Sequence, residues 1–319
     1  MKVIERGAPP PEVAAPAPNN SPRQRPNRRV ENFVDRHVVR VFVGPAVLFI
    51  LLAMAFPVVY TIYLSFHQWF GSLNSPPEFV GIENFRRLLL EDGRFWAAVG
   101  RTMLFTSVAV ATQTVLGVAL AVLLHREFRL RGLMRSVMLL PMIATPVAIA
   151  MVWRLMYQPE LGIINEILTT VGLPPANWLS DSKLALLALM VVDTWEWTPL
   201  IGLITLAGLS ALPEEPLEAA LVDGASTWQR FWHVVLPMVR PVVVVAVVFR
   251  LIEALKTFDI ILVMTQGGPG FATETLNIYV YNTAFQYQQL GYAAAILILF
   301  FLIVSGSAGA LLRLRRPGT

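Results

Sequence analysis

The chain has 319 residues, 55% of them hydrophobic and 14% charged, with a net charge of +4 and no cysteine. So small a charged fraction, against roughly 25% in soluble domains, and a mean hydropathy of +0.60 argue against a soluble enzyme and for a membrane protein. Without cysteine there are neither disulfides nor thiolate metal sites, and His37, His67, His125 and His233 are too scattered to form a ligand cluster.

Residues 1–29 are rich in Pro and polar side chains. They cannot bury apolar surface and read as a disordered tail. No apolar stretch follows Met1, so this is not a cleavable signal peptide. Residues 30–40 form a juxtamembrane segment. A first span is expected from Val41 to about Phe66, a second from Trp96 to Leu124, and a third from Leu133 to Tyr157 with Pro141 and Pro146 inside it. The fourth runs from Lys183 to Leu212, the fifth from Met238 to Met264 and the sixth from Leu290 to Leu312. Each is long enough for a hydrocarbon core of about 30 Å. The fold class is therefore an all-α membrane protein with six spans in one domain over 41–316. The loop 67–95 carries a short helical pattern from Glu83 to Glu91, and the loop 158–182 is polar and without Lys or Arg.

Lys and Arg sort unequally among the connections. The tail through Arg40 holds eight, the 125–136 loop four, the 212–240 loop two and the C-terminal end three; the other connections hold only Arg86, Arg87 and Arg94. The positive-inside rule then places both termini and the 212–240 loop in the cytoplasm. The basic excess marks membrane boundaries, not a nucleic-acid surface.

Charges at membrane depth are expensive and face a partner or a cavity. The fourth span carries Asp193, Trp195 and Glu196; the fifth carries Arg250, Glu253, Lys256 and Asp259. At about 1.5 Å per residue Asp193 and Arg250 fall nearly level near the midplane, which predicts a contact between them. The fifth-span charges alternate in sign at i, i+3 steps. Two readings stand: a structural network, or the wall of a polar solute path. Trp195 reads either as a packing aromatic or as a sugar-stacking platform.

The 213–237 loop is a polar, helix-forming segment. Leu217, Leu221, Trp228, Phe231, Trp232 and Val235 follow a 3.6-residue period. Glu214, Glu215 and Glu218 suit the positive end of a helix dipole, and Gly224 should bend or divide the helix. Two short helices, or one kinked helix, on a membrane surface are expected. The pattern Glu218-Ala219-Ala220, three residues including Asp223, Gly224, nine residues, Val234, one residue, Leu236-Pro237 resembles the EAA loop of permease subunits in binding-protein-dependent ABC importers. In that family the loop docks into a cytoplasmic ATPase; read locally, the segment is equally an interfacial anchor. Gly267-Gly268-Pro269, with Thr273, Tyr279 and Tyr281 beyond, is similar to the maltose and glycerol-phosphate branch. No Gly-Lys-Ser/Thr follows those glycines, so they form a tight external turn, not a phosphate loop.

The resemblance implies a bacterial inner-membrane permease for a carbohydrate or polyol. It implies a second permease chain, two copies of an ABC ATPase and an extracytoplasmic binding protein as partners. The chain itself binds no cofactor and is no enzyme, ATP and magnesium residing on the partner ATPase. The competing readings are an ion-coupled secondary transporter working through Asp193, Glu196, Glu253 or Asp259, and a membrane scaffold or receptor subunit with no transport.

Overall fold

Prolines and glycines set the course of the helices. The computed structural model describes residues 43–72 and 75–314. The expected tail (1–29), the juxtamembrane segment (30–40), Arg315 and Arg316 lie outside the described residues. The chain divides into two units after Val58. In the first, the described residues belong to helix α1 (Gly44–Ser65). Leu48, Phe49, Leu51 and Leu52 are all exposed, and a helix apolar on every side suits a surrounding of lipid.

The second unit takes over α1 at Val59 and is helical almost throughout. A small antiparallel hairpin, β1 (His67–Gln68) with β2 (Glu78–Phe79), precedes α2 (Glu83–Leu90) and the long α3 (Gly93–His125). Then come α4 (Arg131–Ile143), α5 (Pro146–Met156), α6 (Ile163–Thr170), α7 (Ala185–Ser210) and α8 (Glu215–Val222). The order ends with α9 (Thr227–Leu255), α10 (Asp259–Met264), α11 (Leu276–Tyr281) and α12 (Leu290–Leu314). Among the described residues five helices (α1, α3, α7, α9, α12) are long and apolar enough to cross a membrane, and α4 with α5 makes a bent sixth candidate.

Two expected spans are not continuous. The third breaks between α4 and α5, which meet at 96°. Pro146 is the reason: its ring disfavours helical geometry at the preceding residue, and Thr145 is extended at φ −70°, ψ 139°. Pro141 is carried inside α4 without a break. The fifth span begins earlier than expected, at Thr227, and ends at Leu255. There the Asn277 side chain donates to the Lys256 carbonyl at 2.5 Å. A freed carbonyl at membrane depth needs such a partner, and Asp259 then opens α10 with a charge suited to a helix N-terminus. The polar 158–182 loop holds α6. Asn165 fixes it by donating to the carbonyls of Pro159 and Ala176 and accepting from Trp178 Nε1.

The core is built on α7, whose side chains are largely buried between α3 and α9. Small residues let the backbones approach. A Cβ on Gly117 of α3 would lie 2.9 Å from Ile201 Cβ of α7, and one on Gly208 of α7 would lie 2.9 Å from Val242 Cγ1 of α9. Replacing Gly117 by Leu should therefore cost roughly 1–3 kcal/mol through overpacking. A lowered melting temperature in detergent checks this, with Gly100→Leu, where a Cβ meets nothing within 4 Å, as the control.

Candidate functional site

A recess of about 230 Å³ lies where α7, α9 and α10 meet the start of α5. Asp193, Glu196 and Trp197 recur at i, i+3, i+4 on α7, so one helical face presents all three. Arg250 and Glu253 come from α9, Lys256 from the break after it, and Asp259 from the first turn of α10.

Arg250 and Asp193 are the centre of the site, and each side chain is 1% exposed. The Arg250 guanidinium donates through Nη2 to Asp193 Oδ2, the contact that their equal depth predicts. Its Nε donates to Gln113 Oε1 of α3 at 2.9 Å, and its plane lies 5.0 Å from the Trp197 ring. Gln113 Nε2 closes the network, donating to Asp193 Oδ2 at 2.8 Å and to the Asp193 carbonyl at 3.0 Å. Three helices are thereby joined by one buried polar triad. Lys256 pairs with Glu253 at 2.9 Å. Among the described residues Asp193 Oδ1 and Glu196 Oε2 are buried with no hydrogen-bond partner. The recess sets four carboxylates against two cations.

Of the residues expected together, Asp193, Glu196, Arg250, Glu253, Lys256 and Asp259 meet here. Trp195 does not. Two positions along α7 is a rotation of roughly 200°, which carries Trp195 to an apolar surface beside Trp153, ring centroids 5.6 Å apart. Trp197 is the aromatic of the recess. Gln113 was missed by sequence reasoning; a lone amide inside an apolar span was its only signal.

At one end of the bundle the Gly267-Gly268-Pro269 segment forms the expected tight turn. Gln266, Gly267, Gly270 and Phe271 all have positive φ, with Gly267 at 90°. The turn is tied down by the buried Glu274, which accepts from Arg94 Nε at 2.7 Å, Arg94 Nη2 at 2.6 Å and Asn282 Nδ2 at 2.9 Å. Arg94 also lies 3.9 Å from the Phe271 ring. Nearby, Asp92 accepts from the Tyr279 and Tyr292 hydroxyls and the Phe95 N–H. Burial pushes this carboxyl up, but those donors outweigh it and hold it below its ordinary 3.8. None of these partners could be paired from the sequence, since they lie 180 or more positions apart for Arg94–Glu274 and Asp92–Tyr279.

At the loop between α7 and α9 two helices are present, but only the first is separate. The α8 helix carries Glu218, Ala219 and Ala220 and has no buried side chain. Asp223 caps it and Gly224, at φ 74°, turns the chain. Ser226 then forms a capping box with Gln229. The following helix runs on through Leu236 and Pro237 into the span, as α9. The expected single apolar face is therefore divided, because Leu217 and Leu221 belong to α8 and Trp228, Phe231, Trp232 and Val235 to α9. Val222 is 89% and Trp228 70% exposed. A recess of about 420 Å³ opens beside the turn, lined by Asp223, Gly224, Gln229, Arg230 and His233.

Two measurements follow. Arg250→Leu or Asp193→Leu alone should destabilise by roughly 3–5 kcal/mol, because each strands a buried charge, while the double variant should recover much of the loss; a thermal double-mutant cycle reads this out. Asp92 stabilises fully above its ordinary pKa, and that contribution is lost as pH falls through the lowered folded value. Melting temperature should thus fall steeply below about pH 4 and less steeply in Asp92→Asn.

Residues 113–316 match the model of the binding-protein-dependent transport system inner membrane component. A probable ABC transporter permease protein of Sinorhizobium fredii is 39% identical over 82% of this chain and 85% of its own length. The trehalose/maltose transport system permease protein MalF of Thermococcus litoralis is 37% identical over 82% of this chain and 87% of its own. In fold, the chain matches one from the crystal structure of a bacterial ABC transporter involved in the import of alginate, with a TM-score of 0.77 at 19% identity, covering 90% and 98% of the two chains. By the match over 113–316 and the identity to these permeases, the chain belongs to the family of binding-protein-dependent transport system inner membrane components.

Proposed function

We propose that the chain is one permease subunit of an ATP-driven importer for a carbohydrate (an oligosaccharide, glycoside or polyol), and that the 213–237 loop couples it to a cytoplasmic ATPase. The observation that carries this reading is the exposed α8–Gly224 turn joined without interruption to α9. A helix with no buried side chain, flanked by exposed Val222 and Trp228, is suited to a protein partner. The recess lined by Asp223, Gln229 and Arg230 would receive a side chain of that partner. Motion entering at Gly224 would pass along α9 to Arg250 and Glu253 at the polar recess.

On this reading six spans cross the bacterial inner membrane, with α4–α5 as the third. Both termini and the coupling loop are cytoplasmic, following the sorting of Lys and Arg. The chain binds no cofactor; ATP and magnesium belong to two ATPase copies, and a second permease chain completes the passage. The Gly267–Pro269 turn faces a binding protein outside the cell, as its rigid anchoring on Arg94 and Glu274 suits a docking surface. The polar recess is a section of the solute path, its unpartnered Asp193 Oδ1 and Glu196 Oε2 being acceptors for sugar hydroxyls. Sugar is suggested by the trehalose/maltose relative and by a sulfoquinovosyl glycerol permease of Agrobacterium fabrum, 32% identical over 88% of this chain. The ion-coupled alternative is disfavoured by family membership.

Gly224 supplies the test. Its φ of 74° strains any L side chain, although a Cβ there meets nothing within 4 Å, so the cost is conformational and not steric. Asn tolerates this geometry, Ala less, and a β-branched residue least. In proteoliposomes holding the assembled complex, transport per ATP hydrolysed should fall in the order Gly224, Gly224→Asn, Gly224→Ala, Gly224→Val, with expression unchanged. Undiminished coupling in Gly224→Val would overturn the assignment.

A further inference from the structure

The arginines at the α3–α4 junction form a basic cluster. Arg126, Arg129, Arg131 and Arg135 fall within ten residues that contain one acid, Glu127. Among the described residues none of the four is in an ion pair. Arg131 and Arg135 are only part-exposed, and the Nε of each is buried without an acceptor. Arg135 spends Nη2 on the Leu124 carbonyl at 3.2 Å, which pins its head to the end of α3. Both lie in the first turns of α4, where the helix dipole opposes a cation, and Leu130 offers no side-chain cap to the free N–H groups there. Apart from Glu127, this stretch of sequence brings these cations no anion.

Further along α4 lies a groove of about 720 Å³ that is almost wholly apolar. Leu116 and Leu120 of α3, Val137 and Pro141 of α4, and Leu187 and Val191 of α7 form its walls. Along α3 it runs from Val108 to Leu120, about 18 Å at 1.5 Å per residue, which is close to one leaflet of a bilayer. Arg131, Arg135 and Met138 stand at i, i+4 and i+7 on one face of α4, and Met138 lines the groove, so the groove and the two arginines share that face.

We propose that this is a binding site for an anionic phospholipid, its phosphate held by Arg131 and Arg135 with Arg126 and Arg129 at the rim, and one acyl chain lying in the groove. A neighbouring protein helix would fill the apolar part but leave four cations unmatched; charge complementarity therefore selects the lipid. The site does not depend on the transport reading, only on the chain lying in a membrane.

The test uses the full-length chain, purified in its assembled complex and stripped of lipid with detergent. Native mass spectrometry and thermal melting are followed during titration with phosphatidylglycerol or phosphatidylcholine. Two arginine contacts predict a preference of roughly tenfold or more for phosphatidylglycerol, with a rise in melting temperature that phosphatidylcholine does not give. Arg131→Gln with Arg135→Gln should abolish the preference. Should that variant fail to fold, Arg126→Gln with Arg129→Gln, both fully at the surface, should still weaken it about threefold by the loss of rim charge. Leu116→Trp, filling the groove, should lower lipid retention with the arginines intact. Equal binding of the two lipids, a preference kept without Arg131 and Arg135, the same melting shift from glycerol phosphate or inorganic phosphate, or a groove cysteine that cross-links to a partner permease helix would each overturn the proposal.

Discussion

The buried Asp193–Arg250–Gln113 triad is the interaction on which the rest of the membrane unit depends. In hydrocarbon there is no water to solvate a loose charge, so a carboxylate and a guanidinium at that depth must satisfy each other or not fold. The triad takes one residue from each of α3, α7 and α9. It therefore specifies which three helices are neighbours and at what height, something that apolar packing in lipid does poorly because the lipid is as apolar as the side chains. Gly117, Gly202 and Gly208 make the same helices able to come close enough. The triad engages Arg250 through Nε and Nη2, while among the described residues Asp193 Oδ1 and Glu196 Oε2 are buried without a hydrogen-bond partner.

The two ends of the bundle are built differently. At one, Glu274 is buried under a two-pronged contact from Arg94, Arg101 Nε reaches the Glu274 carbonyl at 2.8 Å, and Thr102 Oγ1 accepts the Leu276 N–H at 2.9 Å. Such charge-assisted contacts are strong and directional, and they hold the Gly-Pro turn to α3 as one piece. At the other end α8 buries nothing and hangs on a glycine turn. From the loosely held end the 29-residue α9, about 43 Å long at 1.5 Å per residue, runs to the polar recess.

Much of this was legible in the sequence, and the reasons for the failures are local. The spans α1, α3, α7 and α12 could be read from hydropathy, and the level of Asp193 with Arg250 followed from helical rise alone. The glycine inside a helical pattern at Gly224 signalled the bend that separates α8 from α9. What escaped was set by geometry that a linear pattern does not carry. Two proline positions in one span, Pro141 and Pro146, look alike as residues, yet only the second turns the chain, because Thr145 is free to be extended while Leu140 stays in a helix. Trp195 and Trp197 are likewise indistinguishable by type; their two-residue offset on α7 sends them to opposite surroundings. Gln113 and Glu274 are single polar residues whose meaning lies entirely in partners 80 and 180 positions away.

The two breaks in otherwise continuous helices are best understood together. One is at Pro146, the other from Lys256 to Phe258, and both border the polar recess. Irregular backbone is tolerated at membrane depth only where it is buried in protein or lines a cavity, since in lipid its unpaired groups have no partner. Here each break does line the cavity, and the Lys256 carbonyl is additionally caught by Asn277. A straight α9 continued through Asp259 would have carried Lys256 and Asp259 round the helix, away from Glu196. Breaking it allows side chains from two short helices and two long ones to converge on one small volume. A chain whose spans served only to anchor it would gain nothing from that departure; the polar recess needs it. The breaks and the surplus of carboxylates thus belong to one feature, a polar recess assembled inside an apolar bundle.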